Sequence, residues 1–189
     1  MKKLSIFAAF ALFFTGAANA GFIVDFYAGA TAAAGNNVVV TPGAYLNGKN
    51  ISNSANAFGA VAGINIPVVR LEAEYNYMTS DAINFHAAIA NGYIKLLPTP
   101  IIKPYIGLGV GTAVGGTFKG ADGKFNTGGI LWQGMLGLQF DIPMTPLFVD
   151  LEFRTLLADK VYTYEPTPGI SKDFGFIQYD LRAKLRYVF

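Results

Sequence analysis

The last stretch of the chain alternates with a period of two. Ile177, Tyr179, Leu181, Ala183, Leu185, Tyr187 and Phe189 share one parity; Gln178, Asp180, Arg182, Lys184 and Arg186 hold the other. A helical period of 3.6 would mix these sets, whereas a strand sends them to opposite faces. The same alternation recurs upstream. Val69, Leu71, Ala73, Tyr75 and Tyr77 alternate with Arg70, Glu72, Glu74 and Asn76. Leu147, Val149, Leu151 and Phe153 alternate with Phe148, Asp150, Glu152 and Arg154. Trp132 to Asp141, Tyr105 to Gly111 and Phe22 to Gly29 repeat it, and 56–66 does so more softly through Phe58, Ala60, Ala62, Ile64 and Ile66. Together these predict eight strands, at about 22–33, 56–66, 68–78, 83–96, 103–115, 128–141, 146–157 and 174–189. In 83–96 the parity is ambiguous around Ala87 to Ala90, where a bulge is expected.

An even number of antiparallel strands lets the last pair with the first and leaves no open edge. The connections alternate in length. Ile66-Pro67-Val68, Leu97 to Ile102 and Ile142 to Thr145 are short; Gly35 to Ala55, Gly116 to Thr127 and Ala158 to Asp173 are longer and polar, with only Thr79 to Ala82 brief. Short turns on one side and long loops on the other are the asymmetry of an outer-membrane barrel. The predicted fold class is therefore all-β: an eight-stranded antiparallel up-and-down transmembrane β-barrel occupying 21–189.

Composition sharpens this. The chain is 52% hydrophobic and 14% charged, against about a quarter charged in soluble domains. Yet beyond the leader no run reaches the ~18 apolar residues of a membrane helix. A lipid face spread over alternate positions reconciles the two. Residues 1–20 read as a signal peptide: Lys2 and Lys3, an apolar stretch Leu4 to Phe14, and a small-residue cleavage site Ala18-Asn19-Ala20. Without Lys2 and Lys3 the 14 bases fall level with the 12 acids, which leaves no basic footprint for nucleic acid. With no cysteine and one histidine, neither a disulfide framework nor a metal site is expected.

Period two does not say which face is inside. A lipocalin-like barrel would enclose the apolar set. The inverted arrangement is favoured by aromatics near strand ends on the apolar parity (Phe22, Tyr75, Tyr77, Trp132, Phe140, Tyr187, Phe189), which suits interfacial girdles. Gly107, Gly109 and Gly111 oppose Ile106, Leu108 and Val110, leaving room for large charged partners across the lumen. The lumen is then expected to hold Asp25, Arg70, Glu72, Glu74, Asp141, Asp150, Glu152, Arg154, Asp180, Arg182, Lys184 and Arg186, with Lys95 a further base. Eight strands enclose only enough space for side chains, so these charges must pair. A plugging ion-pair network is expected over a conducting pore.

Three places carry a family resemblance. Lys103-Pro104-Tyr105-Ile106-Gly107-Leu108-Gly109-Val110-Gly111, Asn91-Gly92-Tyr93, and the alternating C-terminus Leu185, Tyr187, Phe189 resemble the small OmpA-like and opacity-type outer-membrane β-barrel proteins, over about 22–189. The resemblance implies a bacterial outer-membrane location after secretion, and Leu185, Tyr187 and Phe189 as the signal read by the barrel-assembly machinery. It implies contact with outer-membrane lipid and lipopolysaccharide, and with host surface molecules through the loops. The peptidoglycan-binding domain that some relatives carry after the barrel is not expected here.

No cofactor and no catalytic residue is expected. His86 is followed by Ala87 and Ala88, with Ser80 and Asp81 the nearest candidates for a catalytic partner. The glycine run at 107–116 lies within a strand and opens no helix, so it does not meet the nucleotide-binding pattern. The expected role is structural and surface-interacting; the alternatives are a small diffusion porin and, with less support, a lipid A-modifying enzyme built on His86.

Overall fold

A computed structural model describes residues 24–40, 52–80, 83–96, 101–118, 123–125, 127–167 and 170–189. The expected signal peptide, its cleavage site at Ala18 and Ala20, and Phe22 lie outside the described residues. The strands are β1 (Asp25–Val40), β2 (Ser52–Asn65), β3 (Val69–Ser80), β4 (Ile83–Lys95), β5 (Ile102–Phe118), β6 (Gly123–Phe125), β7 (Ile130–Asp141), β8 (Leu147–Thr167) and β9 (Ile170–Val188). Eight are long, and β6 is a three-residue addition to the outer reach of β8. All pairings are antiparallel: each long strand pairs with the next long strand along the chain, β6 pairs with β8, and β9 pairs with β1 to close the sheet.

The register fixes the shape. Tracing partners once round the wall from His86 runs through Tyr77, Phe58, Ala32, Ala183, Leu151, Leu138 and Pro104. Pro104 accepts a hydrogen bond from Leu96 N, ten positions further along the chain than His86. A stagger of that size over eight strands requires a tilt of about 40°.

The faces separate as the alternation requires. Leu181 and Leu185 are exposed, whereas Arg182 and Lys184 are buried. Leu108, Trp132, Leu136 and Leu151 also stand on the outer wall, so the apolar surface faces out. Of the expected girdle residues, Tyr75, Trp132, Tyr187 and Phe189 are exposed, while Tyr77 and Phe140 are half-buried.

Three expectations need correction. First, the segments expected to be loops at Gly35 to Ala55 and Ala158 to Asp173 are partly strand. β1 runs on to Val40 and β2 begins at Ser52, while β8 and β9 continue to Thr167 and from Ile170. Their polar residues, such as Asn36 and Asn37, read as loop, but ladder pairing with β2 and β9 carries them. β8 and β9, 21 and 19 residues long, are about twice the 9–11 that cross a bilayer. Second, β4 alternates without a break: Phe85, Ala87, Ile89, Asn91 and Tyr93 all point inward. The bulge is real but lies opposite. Ala87 pairs Ala113 and His86 pairs Gly115, so Val114 of β5 is the extra residue. Third, the lumen is not polar throughout. In its loop-side half Met78, Phe85, Leu131, Leu156, Val161 and Phe176 are buried together.

The turn between β7 and β8 closes through Thr145 N to Ile142 O (3.3 Å) and Ile142 N to Leu147 O (3.2 Å). It holds Met144 at φ 63°, a left-handed conformation costing about 1–2 kcal/mol for most L residues and less for Asn. Met144 is fully exposed and contributes no packing there. Met144→Asn is therefore expected to stabilise the barrel by about 0.5–1 kcal/mol, read from the midpoint of urea unfolding in lipid vesicles; an unmoved midpoint would show that the turn carries no strain.

Candidate functional site: a stratified lumen

The interior is built in three layers. At the turn side is a half-buried polar rim. Lys95 Nζ donates to Asn65 Oδ1 (2.6 Å) and to the Ile66 carbonyl (3.2 Å). Asn65 Nδ2 reaches Asp25 Oδ2 at 3.4 Å. Lys103 pairs with Asp141, which also accepts from Gln139 Nε2 (2.8 Å). Asp25 and Asp141, expected in the sealed network, therefore belong to this rim. Position explains the difference: each is a terminal residue of its strand.

Above the rim is the charged layer. Glu72, Glu74, Asp150, Glu152 and Asp180 face Arg70, Arg154, Arg182, Lys184 and Arg186, and none is more than 4% exposed. Five negative groups meet five positive ones, so the layer can be neutral while every member stays ionised. Arg186 grips Asp150 with two bonds, Nε to Oδ2 at 2.8 Å and Nη2 to Oδ1 at 2.9 Å, the two-pronged geometry of strong guanidinium–carboxylate pairs. Arg70 Nη1 adds a third at 3.0 Å. Arg154 binds Asp180 through Nε (3.0 Å) and Nη2. Arg182 pairs with Glu74 and donates to Asn76 Oδ1 (3.1 Å). Lys184 Nζ lies 2.6 Å from Glu72 and 3.9 Å from Glu152.

Neutral side chains extend the network. Asn91 Nδ2 donates to Glu74 Oε2 (2.8 Å), and Gln133 Nε2 donates to Asn91 Oδ1 (2.6 Å). Three tyrosines donate to carboxylates: Tyr27 and Tyr93 to Glu72 (both 2.8 Å), Tyr105 to Glu152 (3.0 Å). The Arg70 guanidinium lies 3.9 Å from the Tyr93 ring centre and 4.6 Å from that of Tyr105; Arg186 lies 4.8 Å from that of Tyr27. Such cation–π contacts are strongest where water is excluded.

Sequence reasoning missed these tyrosines and amides as network members. Their signal was parity: Tyr27 shares that of Asp25, and Tyr105 that of the inward glycines. Each tyrosine lies over the glycine paired with it on the next strand: Tyr27 with Gly63, Tyr93 with Gly107, Tyr105 with Gly137. A Cβ on any of these glycines would come within about 2.6 Å of the ring or its hydroxyl. The glycines do make room, but for aromatic rings and amides rather than for charged side chains. Gly109 faces Asn91 and Gln133 in the same way.

The third layer is the apolar one. Phe85 and Phe176 meet edge to face at 5.2 Å, with Met78, Leu131, Leu156 and Val161 around them. His86 belongs to none of these layers. It lies on the outer wall, its Nδ1 2.7 Å from the Tyr75 hydroxyl and its ring stacked near Tyr77 at 4.7 Å. Ser80 is buried on the inner face, so it and His86 lie on opposite sides of the sheet, and Asp81 lies outside the described residues. Among the described residues no group of His, Cys, Asp and Glu is arranged to hold a metal ion.

Breaking one ion pair leaves a buried charge facing an uncharged group that cannot neutralise it. Lys184→Met and Glu72→Gln are each expected to cost about 3 kcal/mol or more. The double variant, which restores neutrality, is expected to cost less than their sum by at least about 1 kcal/mol. Urea unfolding in vesicles measures all three, and strict additivity would show that the two groups do not interact.

No protein-family model matches the chain, and no curated protein matches it. Among solved structures the fold is similar to Neisserial surface protein A, with 17% identity, 87% of this chain and 97% of that one covered, and a TM-score of 0.64. It is also similar to the outer membrane protein OprG from Pseudomonas aeruginosa, with 12% identity, 89% and 97% covered, and a TM-score of 0.52. At these identities the likeness is one of fold, and the fold is that of the bacterial outer-membrane barrels: eight antiparallel strands closed on themselves.

Proposed function

We propose that this chain is an outer-membrane barrel with a structural and surface-interacting role, and that it neither conducts solutes nor catalyses a reaction. The observation that carries the reading is the stacked interior. A neutral ion-pair layer fills the turn-side half, and an apolar layer lies above it. An ion crossing would have to break pairs such as Arg186–Asp150 and then pass the Phe85–Phe176 contact without water.

The strands that outrun the bilayer support the second half of the proposal. β8 and β9 extend the hairpin on the loop side, and β6 widens it to three strands. A paired sheet of this kind carries protein surface beyond the lipid. Contact with molecules of the environment or a host then falls to this face, because the outer wall meets lipid and the interior is closed. Against catalysis, the polar group that His86 engages is a tyrosine hydroxyl, and Ser80 points away from it.

Planar-bilayer recording of the purified, folded barrel tests the closed interior. No steady conductance is expected at moderate voltage, and Phe85→Ala alone is expected to leave it silent because the charged layer remains. Stable single-channel steps from the unmodified protein would establish a diffusion pore and overturn the proposal.

A further inference from the structure

Histidine is out of place on a wall that faces hydrocarbon, and the surroundings of His86 give it a purpose. We infer that His86, with Tyr75 and Tyr77, forms a binding site on the outer wall for the phosphate of an outer-leaflet glycolipid. This deepens the outer-membrane reading and rests on it.

Height along the barrel comes first. His86 is nine residues above Lys95 on β4, the strand that ends at the turn-side rim. At about 3.3 Å per residue and a tilt near 40° it stands roughly 20–25 Å above that rim. The apolar band of such barrels is about 25 Å tall. His86 is thus at the outer edge of the band, at the depth of lipid headgroups.

The wall is graded along the same line. Above His86, toward the loops, Thr79 Oγ1 donates to Asn84 Oδ1 (2.9 Å). At its own level are the Tyr75 hydroxyl and the Tyr77 ring. Below it runs a shallow furrow lined by Ala60, Ala62, Ala73, Ala88 and Ala90, with Tyr75 at its upper end. Polar, then aromatic, then small and apolar is the profile of an amphiphile: a headgroup, its linkage and a chain.

The chemistry selects the headgroup. Tyr75 occupies Nδ1. In the tautomer in which the tyrosine donates, Nε2 carries the hydrogen. With Tyr75 as the donor in this pair, Nε2–H is the remaining hydrogen-bond donor of a ring carried on the outer wall. The two tyrosine rings restrict the imidazole to this orientation. A donor held at headgroup depth beside further hydroxyl groups suits a phosphate oxygen, and the low dielectric next to the acyl chains strengthens such a bond. The furrow arises where five alanines replace the leucines and aromatics found elsewhere on the wall, with Val110 and Thr112 at its side.

The test reconstitutes the full barrel in nanodiscs of phosphatidylcholine containing a small fraction of bisphosphorylated lipid A, and counts retained lipid by native mass spectrometry. Wild type is expected to keep one lipid A per barrel. His86→Ala is expected to lower retention at least fivefold, and Tyr75→Phe to lower it less. Ala90→Leu, which fills the furrow without touching the imidazole, is expected to lower it as well. Dephosphorylated lipid A should not be retained, and excess inorganic phosphate should not displace the intact lipid. Equal retention by wild type and His86→Ala, or by phosphorylated and dephosphorylated lipid, would overturn the inference. Each sample is also run with and without boiling. A heat-shifting barrel that keeps no lipid A counts against this site alone, whereas a protein that does not fold in the nanodisc counts against the membrane-barrel reading itself.

Discussion

A cylinder of eight strands has no room for bulk water along its axis, and that shortage governs the rest of the structure. Any ionised group turned inward must find its counter-charge among the other inward groups. Strand alternation sends ten such groups into the middle layer, five of each sign. Having committed Arg182 and Lys184 of β9 to the interior, the fold needs Glu72 and Glu74 of β3 across the lumen to meet them. Asp180 meets Arg154 on the neighbouring β8, and Asp150 meets Arg186 on the neighbouring β9 as well as Arg70 of β3 across the lumen. The network therefore links non-adjacent strands across the barrel, which wall hydrogen bonds alone do not do. Its role is as much in fixing register as in adding stability, since a one-residue slip of a strand would turn its charges to the lipid.

The glycine–tyrosine pairs answer the same shortage of space. Charged side chains alone leave gaps, and gaps beside buried ions are costly. Large rings that also donate a hydrogen bond fill the space and neutralise partial charge together, but they need a flat wall to lie against. Gly63, Gly107 and Gly137 supply it. The Lys103 to Gly111 stretch thus has a physical explanation. Tyr105 points in to reach Glu152, while Gly107 leaves the wall clear for Tyr93.

Period two made the division between Leu181 and Arg182 legible, because alternation is a local property and needs no knowledge of the fold. Which acid meets which base was not legible: Arg182 and Glu74 are far apart in the chain, and only the stagger of the closed barrel brings them together. The apolar layer was hidden for a different reason. Met78, Phe85, Leu156 and Phe176 are the residue types that also face lipid, and hydropathy cannot distinguish an inward phenylalanine from an outward one where polar residues become scarce. The bulge was anticipated near Ala87, but the extra residue, Val114, lies on the partner strand, whose Gly-Val-Gly-Thr-Ala-Val-Gly-Gly sequence has little polarity to reveal a change of phase. His86 gave no sign of its setting, because a single histidine beside alanines reads the same on either face.

The central claim is that the apolar face of the strands meets acyl chains while the ionised face is enclosed. The chain carries its own reporter in Trp132, the single tryptophan, more than half exposed on the outer wall. Folded barrel reconstituted into vesicles of brominated phosphatidylcholine should show strong quenching of tryptophan fluorescence relative to unbrominated lipid, and little quenching by aqueous iodide. Emission insensitive to lipid bromination in a barrel shown to be folded would place this face away from the hydrocarbon and contradict the account.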